Sequence, residues 1–231
     1  MIPNTVTSIG NSVFYDCRGL TSVTIPDSAT TIGDYAFYGC TGLTTVTIPD
    51  GVTTIGEDAF YNVLNINYNG AATGSPWGAR CINGYVEDGL VYTDNTKTTL
   101  VAADKNITRS VTIPNSVTTI DDYAFVACIK LTSVTLPYFV TTIGDYAFYQ
   151  CTGLTSITIP DRVTSIGEYA FKYCTHLTSI TCEPTAPPTM SSGVFNNTNN
   201  CPILVPAASV DTYKAANNWS TYKTRIQAIQ S

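Results

Sequence analysis

Eight cysteines, one histidine and a column of carboxylates are the residues of this 231-residue chain whose types could do chemistry. Cys17, Cys40, Cys128, Cys151 and Cys174 each stand three residues before a leucine. A shared register of this kind marks a buried small apolar side chain, which is how a free cysteine behaves. Equivalent positions on stacked turns would bring Cα atoms within disulfide range, but their side chains would point in parallel. No C-x-x-C and no second histidine accompanies them, so zinc and thiol-redox chemistry are not supported. Cys182 and Cys201 bracket the start of the C-terminal segment, where pairing and free thiols both stay open; Cys81 is uninformative. His176 takes a position held elsewhere by Gly19, Gly42, Lys130 and Gly153, so it reads as a solvated surface residue without the positioned partner that acid–base catalysis needs.

Asp34, Glu57, Asp122, Asp145 and Glu168 form the acidic column. A calcium ladder is one reading. Capping of a short helical turn is the preferred one, because the carboxylates come singly, without the neighbouring oxygen ligands calcium requires. Gly33, Gly56, Gly144 and Gly167 precede these positions, and a positive φ is expected there rather than a phosphate loop. No nucleophile–base pair emerges. The chain reads as a non-enzyme with no catalytic, cofactor-binding or metal residues.

What positions these residues is a repeat. Phe14, Phe37 and Phe60 are spaced by 23 residues, as are Phe125, Phe148 and Phe171; Ile9, Ile32 and Ile55 and Ile120, Ile143 and Ile166 agree. One unit reads Leu43-Thr-Thr-Val46-Thr-Ile48-Pro49, then Val52-Thr-Thr-Ile55-Gly56, then Ala59-Phe60. Val46 and Ile48 alternate with Thr47, which predicts a strand with one buried face; Pro49 ends it. Val52–Ile55 predicts a second short extended piece, and Asp34-Tyr35-Ala36-Phe37 a short helical turn with Asp34 accepting backbone N–H groups at its start. Stacked turns place equivalent strands in parallel about 4.8 Å apart, and no single unit can bury its own apolar face. Composition agrees. Charged residues make up 12% of the chain, about half the usual share, and Thr, Ser and Tyr take their place, as β-structure prefers. With a formal charge of −6 and no Lys/Arg cluster, nucleic acid is excluded as a partner. No apolar run approaches the roughly 18 residues of a membrane span.

The repeat, written Leu-Thr-Ser-Val-Thr-Ile-Pro-Asp-x-Val-Thr-x-Ile-Gly-Asp-Tyr-Ala-Phe-x-x-Cys, resembles the BspA-like (Treponema-type) leucine-rich repeats of surface proteins from anaerobic gut and oral bacteria. The likeness covers residues 2–63 and 107–182. It departs from the commoner leucine-rich repeat where Ser28, Gly51, Ser116, Phe139 and Arg162 replace the expected Asn or Cys. The resemblance implies a right-handed, curved leucine-rich-repeat solenoid of short parallel β-strands and short helical turns, with an irregular β-hairpin insert and a small α/β C-terminal cap. It also implies a bacterial cell-surface or secreted protein that binds a protein or glycan ligand, including host extracellular matrix, in adhesion. A monomer is expected. The chain opens Met1-Ile2-Pro3 at what corresponds to the end of a repeat strand, with no basic or apolar leader; a longer precursor carrying a signal or lipid anchor is the expectation.

Four segments follow: repeats over 1–63, an irregular insert over 64–106, repeats over 107–182 and a cap over 183–231. Phe60 and Phe125 lie 65 residues apart, which is not three periods. Leu64-Asn-Ile66-Asn-Tyr68 alternates like a strand, 69–84 is loop-like, and Gly89–Tyr92 with Thr99–Ala102 reads as a hairpin around 94–97. The insert is expected to extend the repeat core. Trp77, in Ser75-Pro-Trp77-Gly, could stack on a sugar; covering the insert's core is the expected use. Glu183-Pro184 stops the pattern, and Ser209 is expected to cap a helix reaching about Asn217, with Trp219, Tyr222 and Ile226 adding apolar surface.

The remaining candidates are surface residues. Ser22, Thr24, Thr45, Thr47, Thr112, Ser133, Thr135, Ser156, Thr158, Ser179 and Thr181 should project from the main strand row as a hydroxyl face able to hydrogen-bond a ligand. Tyr35, Tyr123, Tyr146 and Tyr169 form a second column, expected to pack between turns. Tyr138-Phe139 breaks its repeat, either as a contact patch or through local packing. A non-catalytic interaction module is the leading expectation, and a spacer displaying another domain the alternative.

Overall fold

The computed structural model describes residues 2–74 and 76–230, and at Arg109 only the backbone. Ser75, at the head of the Trp77 segment, lies outside the described residues. The chain divides into two compact units, residues 1–95 and 96–231. Each is a β-solenoid of short, mostly parallel strands.

In the first unit Ser8–Ile9, Thr31–Ile32 and Thr54–Ile55 stack in parallel, with Ile9 opposite Ile32 and Ile32 opposite Ile55. The sequence period is thus the pairing register, because one buried isoleucine per turn admits no slip. A second row is made by Thr45–Thr47, Asn65–Asn67 and Cys81–Ile82. The strand read at 64–68 therefore continues the core as expected, and part of the 69–84 loop is strand as well. Strands form at Leu90–Tyr92 and Thr99–Ala103. Leu90–Tyr92 also pairs antiparallel with Tyr85–Glu87. The Asp88-Gly89 link has φ of 51° and 78°, the doubly left-handed backbone of a tight hairpin turn.

In the second unit Thr99–Ala103, Thr119–Ile120, Thr142–Ile143, Ser165–Ile166 and Thr189–Met190 form one parallel sheet. The other row holds Arg109–Thr112 beside Leu131–Thr135, and then Ser156–Ile159, Ser179–Cys182, Ile203–Val205 and Ile226–Ala228. The coil thus runs on past Glu183, where the motif stops. Val210–Ala215 is an α-helix, shorter than expected. Ser209 sits at its N-cap without capping it; the hydroxyl donates to the Thr185 carbonyl at 2.7 Å instead.

The third side of each turn is not the expected helical turn. Ser12, Tyr35 and Asp58, and Tyr123, Tyr146 and Tyr169, all have φ between 46° and 59°. A left-handed residue breaks the i→i−4 pattern of a helix. Backbone N–H groups go to the neighbouring turn instead. Tyr35, Phe37 and Gly39 donate to the carbonyls of Glu57, Ala59 and Tyr61 at 2.7–2.9 Å, and Tyr123, Phe125 and Ala127 to Asp145, Ala147 and Tyr149 at 2.7–2.8 Å. The glycine column is also corrected. Gly33, Gly56, Gly144 and Gly167 are not among the positive-φ residues. They are glycine because the previous turn is too close: a Cβ on Gly167 would meet the Asp145 nitrogen at 2.4 Å, and one on Gly56 would meet Asp34 Oδ1 at 2.3 Å.

Phenylalanine fills the interior. Phe14, Phe37 and Phe60 stack at 5.0 and 5.3 Å between centroids, and Phe125, Phe148, Phe171 and Phe195 at 4.9, 5.1 and 5.7 Å. Trp219 and Tyr222 close the second ladder, at 5.8 and 5.6 Å from Phe195. Their polar atoms are satisfied: Trp219 Nε1 donates to the Pro188 carbonyl and Tyr222 Oη to Asn196 Oδ1.

Close approach makes the glycine column testable. Gly167→Ala is expected to lower unfolding stability by about 2–3 kcal/mol, the usual scale of overpacking. Gly19→Ala, whose Cβ would meet nothing within 4 Å, should change it by less than about 0.5 kcal/mol. Urea denaturation of the two variants checks this, and equal effects would refute the packing account.

Candidate functional site

The hydroxyls sort into two classes. One class locks turn to turn. Thr30 donates to the Thr7 carbonyl at 3.2 Å, Thr53 to Thr30 at 3.4 Å, Thr141 to Thr118 at 3.3 Å and Thr164 to Thr141 at 3.2 Å. Thr155 and Thr178 do the same toward Thr132 and Thr155. Spacing did not single these out, although a threonine directly before each Thr-Ile or Ser-Ile strand was the available signal. The other class is the expected face. Ser22, Thr24, Thr45, Thr47, Thr112, Ser133, Thr135, Ser156, Thr158, Ser179 and Thr181 are all exposed or half-buried. Among the described residues, none of these eleven hydroxyls makes a hydrogen bond.

They fall into a patch in each unit. In the first, Thr45 and Thr47 face Asn65 and Asn67; Ser22 and Thr24 stand outside the paired strands. Asn65 is buried and spends its amide on Asn67 Oδ1 and the Gly84 carbonyl. In the second, Thr112 faces Thr135, Ser156 faces Ser179 and Thr158 faces Thr181. Ser110, opposite Ser133, is a further member. Ser133, Thr135, Ser156 and Thr158 line a shallow groove of about 370 Å³ with Tyr138 and Glu183. Tyr138, in this lining, and its chain neighbour Phe139 are 51% and 47% exposed. The Arg162 guanidinium carbon lies 4.8 Å from the first ring's centroid and 5.3 Å from the second's.

The aspartates that looked reactive bond from turn to turn. Asp34, Asp122 and Asp145 do not cap their own turn. Each Oδ1 accepts the backbone N–H one repeat later, at Glu57, Asp145 and Glu168, at 2.9, 2.7 and 2.6 Å. Asn11 does the same for Asp34 at 3.0 Å. Glutamate stands at the end of each run, where Glu168 accepts from Ser192 Oγ instead. Among the described residues no cluster of three or more His, Cys, Asp or Glu side chains could hold a metal ion.

None of the described cysteines forms a disulfide. Cys40, Cys128, Cys151 and Cys174 are buried as expected, whereas Cys17 is exposed. The Sγ atoms of Cys40, Cys151 and Cys174 lie 3.0–3.1 Å from the Phe14, Phe125 and Phe148 carbonyls, 26 residues back. Cys182 faces the core opposite Ile159 and Cys201 sits 3.6 Å from Arg225, so each thiol has its own surroundings and the pairing does not form. His176 is exposed, with Nδ1 2.5 Å from the Thr152 carbonyl. Trp77 is buried edge-on to Tyr68 at 5.6 Å and donates to the Thr73 carbonyl, which removes it as a sugar platform. Tyr123 stacks on Tyr146 at 4.8 Å, and Tyr169 lies 5.3 Å beyond. No described helix is long and apolar enough to cross a membrane.

The family model for the BspA-type leucine-rich repeat region matches residues 1–71 and 103–217, in six copies. No curated protein matches the chain. Among solved structures, a leucine-rich cell surface protein from Faecalibacterium prausnitzii is 29% identical, with a TM-score of 0.58 over 100% of this chain and 59% of its own. A leucine-rich repeat protein from Eubacterium ventriosum is 27% identical, with a TM-score of 0.57 over 99% of this chain and 64% of its own. The chain therefore spans less than two thirds of either. The pneumococcal vaccine antigen PcpA, 18% identical with a TM-score of 0.52 over 98% of this chain and 65% of its own, shares the fold.

The carboxylate ladder predicts a split between two substitutions. Asp145→Ala should cost about 1–3 kcal/mol, because the Glu168 N–H loses its acceptor. Asp145→Asn keeps an oxygen there, as Asn11 does, and should cost less than about 0.5 kcal/mol; equal losses in chemical denaturation would reject the ladder. The thiols predict a pH effect. Burial raises Cys40 from its ordinary 9.0 to about 11 and Cys128 to about 12. The folded state therefore prefers the protonated thiols. Their contribution is intact below pH 9 and is lost as pH climbs through 11 to 12. Urea midpoints should fall progressively above pH 9, and a flat profile would contradict this.

Proposed function

The chain belongs to the BspA-type leucine-rich repeat family, and from that premise we propose that it is a non-catalytic interaction module working at, or secreted from, a bacterial cell surface. It binds a protein or glycan ligand, host matrix included, through its hydroxyl-bearing strand row, and so serves adhesion. The observation that carries the reading is the division of the threonines. Those that lock turns are spent on carbonyls, while the eleven face hydroxyls make no hydrogen bond among the described residues. A hydroxyl both donates and accepts, so such a row suits a polar ligand without strong charge preference. The description of the Faecalibacterium prausnitzii neighbour as a cell surface protein supports the location.

The hydroxyl face in the second unit is the one to test. Thr135 and Thr158 are exposed and line one groove, and arginine at both would fill it without touching the core. Thr135→Arg with Thr158→Arg should weaken binding of the purified chain to immobilised matrix glycoprotein or bacterial surface by at least tenfold, measured by surface plasmon resonance. Unchanged affinity would remove this face from the binding site.

A further inference from the structure

We propose that the groove lined by Ser133, Thr135, Tyr138, Ser156, Thr158 and Glu183, with Phe139 and Arg162 packed on the Tyr138 ring beside it, is a saccharide-binding site for a neutral glycan presenting vicinal hydroxyls. The proposal rests on the interaction-module reading and names the ligand class for its second-unit face.

Departures from the repeat gather here. The positions of Tyr138 and Phe139 are held in other turns by Asp27-Ser28, Asp50-Gly51 and Asn115-Ser116. The following turn has Asp161-Arg162, so Arg162 stands one 23-residue period after Phe139. Two aromatic rings and a guanidinium thus replace small polar residues on adjacent turns, and they touch. The rings do not serve the core, since each leaves about half its surface in water. Exposed aromatic surface costs hydration free energy, and a sugar's C–H face is a partner that would cover it.

The chemistry beside the rings is that of a polyol. Hydroxyls of Ser133, Thr135, Ser156 and Thr158 are uncommitted, and they donate and accept as sugar hydroxyls do. The Glu183 carboxyl in the same lining adds an acceptor for a sugar hydroxyl. Among the described residues an acidic one and no basic one line the groove, which disfavours an anionic sugar and suits a neutral one. A volume of about 370 Å³ falls within the range for small-ligand sites, roughly 300–1,000 Å³.

A peptide fits less well. Leu131–Thr135 and Ser156–Ile159 flank the groove as edges of separate sheets joined by the Thr155 N–H to the Thr132 carbonyl. Their Cα atoms come within 8 Å, less than the roughly 9.6 Å needed to seat a further strand between them. Two half-exposed rings fall far short of the apolar contact in a stable protein interface, which buries about 1,200–2,000 Å² in all.

The test compares the full chain with Tyr138→Asp combined with Phe139→Ser, which restores the pair seen at Asp27-Ser28, and with Glu183→Gln. Each is applied to an array of neutral oligosaccharides and to an enzymatically deglycosylated matrix protein, with thermal unfolding monitored. Saccharide binding that falls at least tenfold in the double variant and severalfold in Glu183→Gln, at unchanged melting temperature, supports the site. Saccharide binding unaffected by the double variant overturns it. Binding only to the deglycosylated protein overturns the saccharide assignment and leaves the interaction reading standing. Binding to neither probe defeats both.

Discussion

Backbone satisfaction between turns is the constraint on which the structure depends. A 23-residue turn with strands of two to five residues cannot close its own hydrogen bonds, so its N–H groups must find carbonyls on a neighbour. The two strand rows do this in the usual parallel manner. The third side does it through a run of bent backbone in which Tyr35, Tyr123, Tyr146 and Tyr169 take positive φ. Bulky residues adopt that conformation at a cost of about 1–2 kcal/mol each. It is offset because each left-handed residue aims its own N–H at a carbonyl one turn away.

That requirement explains residues that chemistry alone would misread. Turns drawn close by these bonds leave no space for a Cβ at Gly56 or Gly167. Aspartate is short enough to place one oxygen on the next turn's N–H, so the column forms a ladder across turns. Cysteine fits beside the stacked phenylalanines and offers Sγ to a carbonyl on the preceding turn. Threonine before each short strand repeats the device with a hydroxyl. The side chains left over are those the coil does not need, which is why the face hydroxyls and the Tyr138–Phe139–Arg162 cluster carry the functional reading.

Much of this was legible in the chain. The period placed Phe, Ile, Leu and Val in the core and the buried cysteines in register, and it marked the rows of exposed Ser and Thr. Other features were not legible. Asp34-Tyr35-Ala36-Phe37 has the composition of a helical turn, since aspartate is a good N-cap and alanine a good helix former. Only the neighbouring turn, by accepting the Tyr35 and Phe37 N–H groups, makes the non-helical path better. Ser209 shows the same override: the Thr185 carbonyl takes the hydroxyl that local rules would assign to the helix.

The division has a physical reason. Sequence by itself determined the coil, its register and which face of each strand is buried, because burial repeats at a fixed interval and a periodic apolar pattern has few solutions. It also marked the departures at Tyr138, Phe139 and Arg162 by breaking the pattern. Tertiary structure decided what each polar atom bonds to, because the partners of the locking threonines, the aspartates and the buried cysteines lie a turn away and are chosen by distance across turns. The assignment of aspartates to a ladder, of glycines to close approach, of Trp77 to the core and of one set of threonines to structure and another to solvent all belong to that second level.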